Sequence, residues 1–407
     1  MTANPSPLLK VAVDARALEP DFRAHFGRGT GRYVKEVLSR FPDTPSPLFD
    51  MMHIRSSDLA LSPFQSRVSS ILPAGKVTYE SQCCMNRNLQ ALSVSLAHFF
   101  FHGDAPAFPK VPQIVSVLDL IPLKFPELYQ KGVGGLRYRF ARYLERCAIK
   151  SSLGIITISE ASKKDIMEIM NIPSEKIDVT YLGVDEKFFA INAHEVTPET
   201  KASFKNQFSI PPDGNLGLYI GGIDARKNLP FLLEVISELN TIEEIKASGG
   251  FHLALAGNYK NDDQLPRLKS LITRLQIADK LHFLGFIEEQ ELDTIFAMAD
   301  MFIFPSIYEG FGLPVLEGMA SGLPVIAGDN SSIPEVMGNI GWRFQDGDKA
   351  EWVRNIKEIV SAAKHTPQLF TSQAEKGKKR ASQFTWEKTA RETIRVYEKY
   401  TARLTPR

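Results

Sequence analysis

Residues 299–328 read ADMFIFPSIYEGFGLPVLEGMASGLPVIAG. Two apolar runs, 301–304 and 323–327, bracket a glycine-rich turn and a short stretch with helix punctuation. Pro314 suits the start of a helix, where an N–H has no partner to lose, and Gly322 suits a helix stop. The spacing predicts a strand, a turn, a helix over about Pro314–Ser321 and a second strand, the repeating unit of a parallel α/β sheet. Glu309 stands just before the turn and Glu317 one turn into the helix. A helix N-terminus offers an anion unpaired N–H donors and about half a positive charge. Gly310 and Gly312 let backbone approach such an anion closely.

The same alternation runs outward in both directions. Toward the N-terminus, LLKVAVDA (8–15), QIVSVLDLIP (113–122) and LGIITIS (153–159) read as strands, the second ending at Asp119. Helical patterns separate them, from about Gly31, over 135–152 and over 160–170. The stretch from Asp185 to Asn215 is rich in Pro, polar and turn residues and reads as a junction. The pattern then restarts with NLGLYIGG (215–222), FHLALAG (251–257) and LHFLGF (281–286) before the opening stretch. The expected fold class is α/β, with two Rossmann-like doubly wound domains facing a cleft. Expected limits are 1–205, 206–384 and a helix over 385–407 that crosses back to the first domain. In such sheets ligands bind beyond the C-terminal strand ends.

A chain of 407 residues exceeds one ordinary core. Its 43% hydrophobic and 23% charged residues are those of a globular protein. A net charge of +1 proposes no nucleic-acid partner. Cys83, Cys84 and Cys147 form neither a disulfide framework nor a zinc spacing. Lys10 and Asp14 interrupt the apolar start and argue against a signal peptide. No run of about 18 apolar residues spans a membrane. The expected location is cytoplasmic, with contact at the inner face of the membrane left open. The helix over 135–152 carries Arg137, Arg139, Arg142, Arg146 and Lys150 beside Phe140 and Tyr143. That pattern suits an anionic membrane surface, or equally a solvated face over an apolar core face.

Paired glycosidase carboxylates lie about 5–9.5 Å apart across one bond. Eight residues of helix would span about 12 Å. The pair therefore suits a long ligand with hydroxyls at both ends and phosphates between, the shape of a nucleotide-sugar, because ionised carboxylates are strong acceptors for hydroxyls. The alternative is that Glu309 caps the turn and Glu317 is a solvated helix residue. In IGGIDARKN (220–228), Arg226 and Lys227 follow a strand end. Cations there can neutralise a diphosphate, unless they are only an exposed basic pair opening a helix.

EGFGLPVLE (309–317) resembles the E-x7-E signature of the retaining glycosyltransferase family four. GRGTGRYVKEVL, FHGDAPAFP, LDLIPLKFPELY, TISEASKKDI, YLGVDEKFF, YIGGIDARKNLPFLLE and FTWEKTARETIRVYE extend the resemblance over nearly the whole chain. It implies the GT-B fold, an acceptor-binding N-terminal domain and a C-terminal domain for the nucleotide-sugar donor. It implies that Glu309 holds donor-sugar hydroxyls and Glu317 the ribose, with Gly310, Phe311, Gly312 and Leu313 in the donor site. Lys227 would face the diphosphate. The family usually adds an arginine directly after the glycine; Gly222 stands there, and Arg226 is expected to substitute. Gly29, Thr30 and Gly31 would meet donor phosphates or acceptor; their spacing is not that of a dinucleotide fingerprint. Where the family has His-Asp, this chain has Leu118 and Asp119. Asp119 would receive or orient the acceptor hydroxyl. His102 is either on the acceptor side or a buried, satisfied histidine.

The resemblance implies neither metal nor cofactor, since the nucleotide-sugar is a substrate. It points first to mannose from GDP-mannose and a glycan or lipid-linked acceptor, as in bacterial surface-polysaccharide mannosyltransferases. A UDP-sugar or a deoxysugar donor follows. A nucleotide-sugar epimerase and a non-catalytic sugar-nucleotide-binding protein are the alternatives of other classes.

Overall fold

The protein is described from a computed structural model, over residues 8–20, 22, 29–59, 78–129, 136–191, 196–259, 262–288 and 291–404. It divides into two compact units. Residues 1–183 and 386–407 form the first, and Val184–Thr385 the second.

The first unit is built on six parallel strands: β1 (Leu9–Asp14), β2 (Phe49–Ile54), β3 (Leu96–Phe99), β4 (Gln113–Ser116), β5 (Gly154–Thr157) and β6 (Ile177–Val179). Their order is β2-β1-β3-β4-β5-β6. Strands β3, β4 and β5 are buried along their whole length, as a parallel sheet covered on both faces requires. The helices used below are α1 (Gly29–Arg40), α2 (Leu136–Ser151) and α3 (Glu160–Met170). Helix α3 starts where the Ser159 hydroxyl accepts from Ser162 N at 3.0 Å and stops at Asn171, whose φ is 54°.

The C-terminal helix, Trp386–Thr401, packs into this same unit. Its buried face includes Trp386, Tyr397 and Tyr400. Tyr400 lies where Gly154 has no Cβ; a methyl there would collide with the ring. Tyr397 OH is 2.6 Å from His98 Nδ1, and His98 Nε2 is 2.9 Å from Ser116 Oγ. Burial lowers the His98 pKa to about 3, so the imidazole is neutral between two hydroxyls. Lys399 Nζ reaches both Asp178 oxygens, at 2.6 and 2.8 Å.

The second unit holds β7 (Asn215–Ile220), β8 (Phe251–Ala256), β9 (Leu281–Gly285), β10 (Met301–Phe304), β11 (Val325–Gly328) and β12 (Trp342–Phe344). The parallel order β9-β8-β7-β10-β11-β12 reverses direction between β7 and β10. Crevices outside the strand ends at such a reversal are the ligand positions of doubly wound sheets.

The expected boundary at 205/206 is corrected to 183/184. The helices α4 (Lys187–Ala190) and α5 (Pro198–Gln207) are tied to the second unit by specific bonds. Lys205 Nζ donates to Gly214 O at 2.7 Å and to Asp300 at 3.1 Å. Lys378 Nζ donates to Ile191 O at 2.9 Å, and Phe188 stacks edge-on against Phe296. The described residues of the polar stretch, 185–191 and 196–215, are therefore a packed edge of the second unit rather than a linker.

Candidate active site

In the second unit, two loops meet at the sheet reversal. The loop after β7 carries Arg226 and Lys227 on a single 3-10 turn, Ala225–Lys227. The loop after β10 carries Ser306 and Glu309 and leads into α6 (Leu313–Ala320). Backbone bonds pin the loops together: Ile307 N donates to Arg226 O at 2.9 Å, and Arg226 Nη1 to Tyr308 O at 2.8 Å.

Three donors converge on one oxygen of Glu309. Lys227 Nζ lies 2.7 Å from Oε1, Arg226 Nη1 2.7 Å, and Ser306 Oγ 2.6 Å. The Glu309 backbone is held as firmly, N donating to Ser331 Oγ at 2.9 Å and O accepting from Ser332 Oγ at 3.0 Å. Burial pushes the Glu309 pKa up. The Lys227 and Arg226 charges and the bonds from Lys227 and Ser306 outweigh it, holding the carboxyl below its usual range. The lysine ammonium also sits 4.9 Å from the centre of the Phe304 ring. With side chains 13% and 11% exposed, Arg226 and Lys227 are not a solvated pair at a helix start.

Gly312 precedes α6 with φ 97°, a conformation a side chain would strain, and its missing Cβ also makes room for Ile333. Pro314 is in the first turn, and Gly318 lets the helix lie against Phe302 of β10. Glu317 is 6% exposed, which rules out a solvated position. Gly310 and Phe311 are buried, Phe311 packing against Phe384, and Leu313 is half-buried. Gly222, where the family pattern has arginine, has open space: a Cβ would meet only Asp224 Oδ2, at 3.4 Å.

In the first unit, Thr30, His102, Leu118 and Asp119 line one cavity of about 210 Å³ together with Arg142, Glu145 and Arg146 of α2. Gly29 is exposed at the start of α1 and Gly31 is buried beneath it. The expectation that Asp119 ends a strand is corrected: β4 stops at Ser116, three residues earlier. There Asp119 Oδ1 accepts from Ile121 N at 3.0 Å and shapes the turn. His102 is buried, its Nε2 3.8 Å from Glu145 Oε2, and Glu145 Oε1 pairs with Arg142 Nη2 at 2.5 Å. Helix α2 thus sends cations both to the cavity and to solvent, with Arg146 at the edge between them. Arg142 and Arg146 reach the cavity, while Arg139, Arg146 and Lys150 share an exposed face with Phe140 and Tyr143. The side chain of Arg137 lies outside the described residues.

The sequence reading missed Ser306, Ser331 and Ser332, which fix the Glu309 Oε1 and backbone, and the Arg142–Glu145 pair. Ser306, three residues before Glu309 and next to Pro305, was the available signal. Among the described residues no group of three or more His, Cys, Asp or Glu side chains is placed to hold a metal ion. Nor is any described helix long and apolar enough to cross a membrane.

Residues 200–380 match the family described as glycosyl transferases group 1. This segment is similar to a group 1 glycosyltransferase domain, and the two Rossmann-like units have the GT-B fold. The chain is similar to O-antigen chain mannosyltransferase B of Escherichia coli, 28% identical over 63% of this chain and 64% of that protein. It is also similar to MMP alpha-(1->4)-mannosyltransferase of Mycolicibacterium hassiacum, 27% identical over 61% of this chain and 55% of that one. The matches thus span less than two thirds of either relative. Among solved structures, Anabaena HepE in complex with UDP-glucose superposes with a TM-score of 0.65 at 16% identity, covering 96% of this chain and 100% of that one.

Proposed function

We propose that the protein is a retaining glycosyltransferase of the family-four type. It moves a hexose, in the first instance mannose from GDP-mannose, to a glycan or lipid-linked acceptor in surface-polysaccharide synthesis. The observation that carries this is the buried Arg226–Glu309–Lys227 cluster at the reversal of the second sheet, beside the N-terminus of α6. Two mannosyl relatives support the choice of sugar. The donor C1–phosphate bond breaks and the electron pair leaves with the diphosphate. Lys227, Arg226 and the α6 N-terminus stabilise that charge, which makes a metal-free reaction part of the proposal. The acceptor oxygen then bonds to C1 from the same face, and its proton goes to the departing phosphate. Glu309 holds sugar hydroxyls, Glu317 the ribose, and Asp119 with His102 the acceptor side. Gly29, Thr30 and Gly31 form the loop that meets phosphate or acceptor.

The protein works on the cytoplasmic side, and the exposed Arg139, Phe140, Tyr143, Arg146 and Lys150 of α2 support contact with an anionic inner membrane face. A second reading keeps the chemistry and changes the donor. Leu118 lines the cavity of the first unit and its side chain cannot hydrogen-bond, which favours a sugar lacking a hydroxyl there. The test is nucleoside diphosphate release with GDP-mannose, GDP-deoxysugars and UDP-sugars, with and without acceptor. The anomer of the product is then read by NMR. Release with none of these donors, or an inverted product, overturns the proposal; a changed sugar nucleotide without acceptor reveals an epimerase.

A further inference from the structure

We propose that the Glu309 carboxylate is the internal anion of the phosphate seat. With no donor bound it occupies Lys227 and Arg226, an incoming diphosphate must take Lys227 from it, and after transfer it reclaims the lysine and expels the diphosphate. The inference rests on the reading that these cations take the diphosphate.

Both cations are spent on the same atom, Oε1, at 2.7 Å each, with Ser306 Oγ at 2.6 Å. Among the described residues no hydrogen bond reaches Oε2. Lys227, Arg226 and Glu309 together carry +1, with the part-exposed Asp224 Oδ1 a further 3.5 Å from Arg226 Nε, whereas a diphosphate is best met by both positive charges. The two cations are not equally free to leave. Arg226 is bound at Nη1 to Tyr308 O as well, and its own carbonyl accepts from Ile307 N at 2.9 Å. Lys227 Nζ hydrogen-bonds Glu309 alone, over the Phe304 ring, on a flexible stem with three rotatable donors. The lysine is the member that can exchange one anion for another while the arginine keeps Glu309 in place.

Exchange couples the two halves of the donor. A diphosphate that draws Lys227 away leaves Oε1 with a vacant direction, which a sugar hydroxyl fills. The intact donor repays the broken ion pair and the free diphosphate does not. Once the sugar has gone to the acceptor, Glu309 loses its hydroxyl partner and competes again for Lys227. The carboxylate thereby lowers product affinity without lowering donor affinity equally.

The test measures binding of inorganic pyrophosphate, GDP and UDP by calorimetry, in wild type, Glu309→Gln, Lys227→Ala and the double variant. Glutamine has nearly the shape of glutamate and no charge; Glu309→Ala serves if the glutamine protein does not fold. Glu309→Gln is expected to bind pyrophosphate and the diphosphate of the working donor about tenfold more tightly, the scale of one charge-assisted bond no longer broken. It should also show a correspondingly lower product-inhibition constant. The gain should vanish in the double variant. Equal or weaker diphosphate binding by Glu309→Gln, with Lys227→Ala weakened, overturns the exchange but leaves the phosphate assignment standing. Unchanged binding by Lys227→Ala overturns the assignment itself.

Discussion

Acid should loosen the first unit through His98. Its pKa lies at about 3 because burial disfavours the charged ring, against 6.5 for an ordinary histidine. The groups facing it are the hydroxyls of Tyr397 and Ser116, with Tyr33 OH 3.4 Å from the latter. Both tyrosines have pKa values raised by burial and supply no counter-charge. A base with a depressed folded pKa contributes full stability above 6.5 and loses it as pH falls from 6.5 toward 3, because only the unfolded chain takes the proton. The loss works out at about 2 kcal/mol at pH 5 and about 4 kcal/mol at pH 3. His282 in the second unit, lowered to about 4 by burial and the neighbouring His252, adds to the loss between 6.5 and 4. Partial solvation makes its share smaller. The assay is urea unfolding at pH 7.5 and pH 5 in wild type and His98→Gln, with imidazole NMR following the titration. The variant should lose about 2 kcal/mol less than wild type between the two pH values, whatever its absolute stability. An identical pH loss in both proteins, or a His98 ring that titrates near 6.5, refutes the reasoning.

Gly222→Arg should raise nucleoside diphosphate affinity several-fold in a titration, since the Cβ is accommodated and the new cation stands just past β7 on the loop that carries Lys227; weaker binding would place that position away from the phosphates. Gly154→Ala should cost about 1–3 kcal/mol in thermal unfolding, by driving a methyl into Tyr400, and Tyr400→Leu should recover part of it. Glu317→Gln should weaken binding of a free nucleoside by about 1–2 kcal/mol and leave pyrophosphate binding unchanged, because the lost acceptor is assigned to the ribose rather than to phosphate. A drop for both ligands would reassign it.

The strand–turn–helix–strand of 301–328 was legible because every signal agreed: two apolar runs of strand length, Pro314 near the helix start, Gly322 at its stop. Strands β2, β3, β6 and β12 were not named from sequence. FDMMHI of β2 mixes polar and apolar positions without clear alternation, and β6 and β12 have three residues each. In β3 the polar His98 broke an apolar run, and only its two hydroxyl partners, 18 and 299 residues away, explain why it is buried there. The junction was misplaced for a related reason. Composition between 185 and 215 is that of a linker, and the bonds from Lys205 to Gly214 and Asp300 that tie α5 into a core cannot be read from spacing. At the site, residue types pointed to Arg226, Lys227 and Glu309. That both cations share one oxygen of Glu309 is a matter of loop geometry, with Lys227 lying 82 residues from it in the chain.

The return of Trp386–Thr401 to the first unit has a consequence for synthesis on the ribosome. Val184–Thr385 is continuous, so the second unit can close as soon as its 202 residues are made. The first unit begins earlier and finishes later. Until residues 386–401 emerge, His98 faces no Tyr397, the space over Gly154 holds no Tyr400, and Asp178 lacks Lys399. At 5–20 residues per second that wait lasts about 10–40 s. During it, an apolar sheet face and a buried histidine stand open to water and to chaperones.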